Sequence, residues 1–131
     1  MIQTTPILIT ATAQQYNVRI SERLCQSICV NDTIKPQYNV TFSVGNINSV
    51  NGTAFVTINA QGSILYVPHN CGNCNSRRDM FNETFEVAFE GTGVPTIALT
   101  TDAQQGEPIQ VSCCKTNMYA ISTNLTITAT F

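Results

Sequence analysis

Tyr119, Ile121, Thr123, Leu125, Ile127, Ala129 and Phe131 take every second position over the end of the chain. Successive side chains of a β-strand point to opposite faces, so this spacing describes one long strand with a single apolar face. Phe85, Val87 and Phe89 alternate with Glu86, Ala88 and Glu90 in the same way, ahead of Gly91-Thr92-Gly93. That pattern is a half-buried strand with a wet outer face. Further strands are expected at Tyr38–Val44, Ala54–Ile58, Ser63–Val67, Thr96–Thr100 and Ile109–Cys113. The turn signals between them are Gly45-Asn46, Asn51-Gly52, Gln61-Gly62, Thr101-Asp102 and Gln105-Gly106. No stretch carries an apolar stripe of helical period. The expected fold is all-β, an antiparallel β-sandwich or jelly roll of about eight strands with an extended N-terminal strand.

At 131 residues the chain holds one core. Charged residues are only 11%, so the surface must be built from neutral polar groups, which 18 Thr and 13 Asn supply. Six Lys plus Arg and a net charge of −2 exclude nucleic acid as a partner, because each phosphate contact needs a cation to displace a counterion. The apolar runs are too short for a membrane-spanning helix. An outer-membrane barrel is excluded by the missing Trp, the few aromatic residues and the six cysteines.

Those cysteines come in close pairs: Cys25 with Cys29, Cys71 with Cys74, and Cys113 beside Cys114. An even count in a small Thr-rich chain is read as a disulfide framework, hence an oxidising, extracellular or cell-surface destination. If they sit in a strand, Cys113 and Cys114 point to opposite faces, so each is expected to pair with a distant cysteine. Zinc is the rival reading, with Cys25, Cys29, Cys71 and Cys74 as thiolates and His69 nearby. It leaves Cys113 and Cys114 unexplained, and His69 reads as a solvated loop residue. No metal or other cofactor is therefore expected. Cys71-Gly72-Asn73-Cys74 also fits the redox spacing, but it lies in a loop and not at the helix N-terminus that lowers a thiol pKa. Asn31, Asn39, Asn51, Asn82 and Asn124 each stand in Asn-x-Thr sequons, which makes them glycosylation candidates and suggests a glycoprotein. The first residues lack the basic start and apolar core of a secretory signal. Either a leader has been removed, or the protein is assembled in the cell and released or oxidised afterwards.

Catalysis is not expected. One His, eight carboxylates and no nucleophile elbow, phosphate loop or metalloprotease pattern leave no catalytic residues to name.

The segment Thr5 to Ala13 places Ile7, Ile9, Ala11 and Ala13 on one face of a strand and Leu8, Thr10 and Thr12 on the other, with Gln14-Gln15 as a polar hinge. Residues 1–15 thus read as an N-terminal arm and 16–131 as the sandwich domain. The arm carries no charge, the reverse of the blunting that protects exposed sheet edges. It can pair within its own sheet, or it can complete the sheet of a neighbouring copy, with Ile7, Leu8, Ile9, Ala11 and Ala13 at the subunit interface. Such head-to-tail addition does not close and grows a homopolymer.

In its length, composition, all-β pattern and adjacent Cys113-Cys114, the chain resembles the disulfide-stapled jelly-roll subunits of bacterial surface and endospore appendages. That resemblance implies a pilus-like extracellular filament built through a flexible N-terminal connector. Here no cysteine precedes Cys25, so Cys25 or Cys29 is the nearest residue to a covalent lock between subunits. Two other functions fit the same composition: a glycan- or receptor-binding module, with Tyr66, His69, Arg77, Arg78 and Asp79 as a recognition patch, and a virion capsid or fibre protein.

Overall fold

The computed structural model describes residues 1–25, 35–68, 75–112 and 115–131. They form nine strands: β1 Ile2–Ile9, β2 Ala13–Arg23, β3 Gln37–Val50, β4 Thr53–Tyr66, β5 Arg77–Glu90, β6 Thr96–Thr101, β7 Gln105–Gly106, β8 Ile109–Ser112 and β9 Lys115–Thr130. Every pairing is antiparallel. One sheet has the order β1-β2-β9-β6, with β8 also on β9, and the other runs β5-β4-β3-β7. The protein is an all-β sandwich.

Alternation builds the interface between the sheets. Ile121, Leu125, Ile127 and Ala129 of β9 and Val18 and Ile20 of β2 are at most 2% exposed. They meet Val56, Ile58 and Ala60 of β4 and Phe89 of β5. Full burial of each larger aliphatic side chain is worth about 1.5–3 kcal/mol.

Asn51 and Gly52 link β3 to β4 with φ of 51° and 81°. A two-residue hairpin loop needs both residues left-handed to match the twist of its strands, which is what Asn-Gly supplies.

Two other expected turns are strand interior. Gly45-Asn46 lies in β3 at a register shift between Val44 and Ile47, so the glycine marks a bulge. Gln61-Gly62 lies inside β4, which joins the expected Ala54–Ile58 and Ser63–Val67 strands into one. Gly62 is there because a Cβ would lie 2.0 Å from the Asn39 carbonyl oxygen and 2.7 Å from the Phe81 ring; the backbone approach admits only hydrogen.

One side of the sandwich is bridged. β6 and β8 lie end to end along β9, and between them β7 crosses to pair with Tyr38 and Asn39 of β3. The buried Thr123 hydroxyl anchors the crossing, donating to the Ala103 carbonyl at 2.9 Å. On the other side, among the described residues, β1 and β5 are the edges.

Candidate functional site: the N-terminal hairpin and its opposite pole

In the single chain the arm pairs with its own sheet. β1 lies along β2 with Ile2 opposite Ile20, Thr4 opposite Val18 and Pro6 opposite Tyr16. Beyond Pro6 the register slips, so that Leu8 faces Gln15 and Ile9 faces Gln14. Ile7 is the residue left over at this bulge. The expected continuous strand from Thr5 to Ala13 is therefore interrupted twice, by the bulge and by a turn at residues 10–12. Thr10 closes that turn: its N–H and hydroxyl both donate to the Ala13 carbonyl, at 2.8 and 2.9 Å, and its hydroxyl accepts the Ala13 N–H at 3.0 Å. Ala13 already belongs to β2, so the expected arm of residues 1–15 takes in β1, the turn and the start of β2.

Gln14 is not a hinge. It is 6% exposed and joins the two sheets, donating from Nε2 to the Ala88 carbonyl in β5 at 2.6 Å and accepting the Tyr16 hydroxyl at 2.5 Å. Beside it opens a cleft of about 310 Å³ between the hairpin turn and the end of β5, with Ile9, Ala11 and Phe89 in its lining.

Three apolar side chains stand in solvent where β1 ends: Ile7 at 52%, Leu8 at 54% and Ile9 at 53% exposure. Val50, Val94 and Phe131 are also exposed. Val50 adjoins the β3–β4 turn at this end of the sandwich, and the Phe131 ring lies against Gly91 just past β5. At the far end of β1 the Met1 ammonium donates to the Ser21 carbonyl at 2.6 Å and meets Glu83 at 3.0 Å and Glu22 at 3.6 Å. Burial, reinforced by the neighbouring Glu83, pushes the Glu22 carboxyl up, while the hydrogen bond from the ammonium holds Glu83 down.

The strand ends next to the cysteines' segments lie at the opposite pole. Cys25 is exposed and has no disulfide partner among the described residues; Cys29, Cys71, Cys74, Cys113 and Cys114 lie outside them. The Cys25 N–H donates to Asp79 Oδ2 at 2.8 Å, which places the end of β2 beside the start of β5. Tyr66 faces Arg77, Gln37 faces Leu65 and Ser112 faces Lys115. The strand ends that flank those segments therefore gather at one end, away from the 10–12 turn.

Of the expected recognition patch, Tyr66, Arg77 and Asp79 come together. Asp79 accepts the Tyr66 hydroxyl at 2.7 Å and Arg77 Nε at 2.8 Å, besides the Cys25 N–H. Burial works against its charge, but these three donors together hold its carboxyl below the usual range. Arg78 turns to the Ser63 hydroxyl at 2.7 Å, and His69 lies outside the described residues. The network ties β2, β4 and β5 together.

Of the sequons, Asn51 is exposed in its turn and Asn82 on the outer face of β5. Asn39 accepts the Ser63 N–H at 3.1 Å, and Asn124 Nδ2 donates to Asp102 at 3.0 Å. Asn31 lies outside the described residues. Among the described residues no cluster of His, Cys, Asp and Glu could hold a metal ion, and no helix is long and apolar enough to cross a membrane. No protein-family model, curated protein or solved structure matches the chain.

Proposed function

We propose that this protein is the structural subunit of an extracellular, pilus-like filament, in which β1 of one copy completes the sheet of the next. The observation that carries this reading is the character of β1: an edge strand free of charged side chains, tied on by a three-residue turn and ending in the exposed Ile7, Leu8 and Ile9.

Exchange costs little in hydrogen bonds, because a neighbour's β1 meets β2 in the register that the chain's own β1 uses. A joint gains what it newly covers. Three aliphatic side chains that are about half exposed give roughly 2–4 kcal/mol when buried. If each copy donates to one neighbour and receives from another, the joint does not close and a filament grows. The strand ends that lead to the cysteine-bearing segments lie at the other pole, so disulfides formed between those segments would reinforce the subunit without pinning the arm. The exposed sequon at Asn51 suits a secreted, glycosylated surface.

The test is truncation with add-back. A chain lacking residues 1–12 should stay folded and fail to assemble, and a synthetic peptide of Met1–Ile9 should bind it stoichiometrically. Filaments from the truncated chain, or a closed reciprocal dimer from the intact one, would contradict the filament reading.

A further inference from the structure

The second edge of the open side is β5, and its chemistry is unlike that of β1. Arg77 and Arg78 stand at its start and Glu86 and Glu90 at its end. Its pairing with β4 runs from Tyr66–Arg77 to Thr53–Glu90 without a register shift, and it contains no proline. β1, by contrast, is blunted. Met1 and Ser21 exchange main-chain hydrogen bonds, so by the alternation of an antiparallel ladder the even residues of β1 face outward along the edge. One of these is Pro6, which has no N–H to offer, and Ile7 bulges next to it.

The same alternation shows what β5 offers. Gly91 N–H bonds to the Gly52 carbonyl, so the odd residues of β5 bond to β4 and the even residues turn their main-chain groups to the free edge. The Gln14–Ala88 bond agrees, since it reaches a carbonyl that the ladder leaves outward. The side chains of Arg78, Met80, Asn82, Thr84, Glu86, Ala88 and Glu90 are all exposed, Met80 at 75%.

We infer that β5 pairs antiparallel with β5 of a second copy about a two-fold axis at Thr84. In that register Arg78 faces Glu90 of the second copy, Met80 faces Ala88, Asn82 faces Glu86, and Thr84 faces itself. Each even residue then meets an even residue, so the outward N–H and C=O groups of both strands satisfy one another, the Ala88 carbonyl accepting the Met80 N–H on its second lone pair beside the Gln14 bond it already holds. The arginine and glutamate ends fall on opposite charges, twice by symmetry. A parallel approach would set arginine against arginine and glutamate against glutamate. Two four-stranded sheets become one continuous sheet. Charge on an edge strand ordinarily discourages association; this arrangement admits one partner in one direction and repels the alternatives.

The test is sedimentation of the full chain, made in a host that leaves Asn82 unglycosylated, across a range of concentrations. A species of twice the chain mass is expected, weakened by added salt. Arg78→Glu and Glu90→Arg alone should each raise its dissociation constant roughly tenfold, from two lost ion pairs and the repulsion that replaces them. Together they should restore it. Thr84→Pro should abolish the dimer while leaving the far-UV spectrum and Tm of the monomer in place, because its N–H faces away from β4. A monomer at every concentration, a double variant no better than the single ones, or a dimer indifferent to Thr84→Pro would overturn the inference. Arm exchange is read separately, since it yields species that grow without limit and ignore the β5 substitutions.

Discussion

Gly62 offers a sharp test of how the body of the sandwich is built. It sits mid-strand in β4, between Val40 of β3 and Phe81 of β5. In Gly62→Ala the new methyl meets the Asn39 carbonyl oxygen at 2.0 Å and the Phe81 ring at 2.7 Å. Real contacts begin near 3 Å, so β3 must retreat by about 1 Å. It is held there by the main-chain ladder on both sides of the contact and by the Ser63–Asn39 bond. Overpacking in a tight core costs about 1–3 kcal/mol, more where backbone must move. We expect about 3 kcal/mol, or roughly 10 °C in Tm for a domain of this size. Gly52→Ala is the control: nothing lies within 4 Å of its Cβ, and only the positive φ of 81° opposes the change, at about 1 kcal/mol. Thermal unfolding of both variants, followed by circular dichroism, decides. If Gly62→Ala unfolds within about 2 °C of the parent, or no lower than Gly52→Ala, β3 and β4 do not approach so closely at Gly62.

Three further outcomes are expected. Gln14→Ala leaves the Tyr16 hydroxyl and the Ala88 carbonyl without their shared partner and should cost about 1–3 kcal/mol in urea unfolding; a neutral result would mean the inter-sheet bond does not form. Ile127→Ala, at a side chain with no exposure, should cost about 2–5 kcal/mol by the same assay, whereas Thr128→Ala on the outer face should stay near zero. Asp79 has a depressed folded pKa, so the stability it contributes is present above its unfolded value near pH 4 and disappears as pH falls through the lower folded value. Asp79→Asn should therefore flatten the fall of Tm below about pH 4; an unchanged acid limb would remove Asp79 from that role.

The long strands were legible where one face is uniformly apolar. Tyr119 to Ala129 and Phe85 to Phe89 pack as their alternation requires, and Asn51-Gly52 turns as its residue types demand. β2 was hidden because its inward face mixes Gln14, Tyr16 and Glu22 with Val18 and Ile20, so polar residues, Gln14 among them bonding across the sandwich to Ala88, broke the apolar pattern. Gly62 and Gly45 read as turns in the sequence because glycine marks a turn, a bulge and a close approach alike, and only the packed neighbour distinguishes them. The uncharged arm was visible, but the blunting of its edge by Pro6 and Ile7 depends on which way each N–H points. The charge gradient along β5 likewise acquires meaning only once Arg77 and Glu90 are known to share one unbroken edge strand.

Filament formation through β1 is most directly tested by solid-state NMR on assemblies grown from an equal mixture of two differently labelled populations of the chain. Ile2 lies opposite Ile20 and Thr4 opposite Val18. Cross-peaks between Ile2 of one population and Ile20 of the other are the expected result. Contacts confined to uniformly labelled chains would place each arm on its own sheet and contradict the exchange.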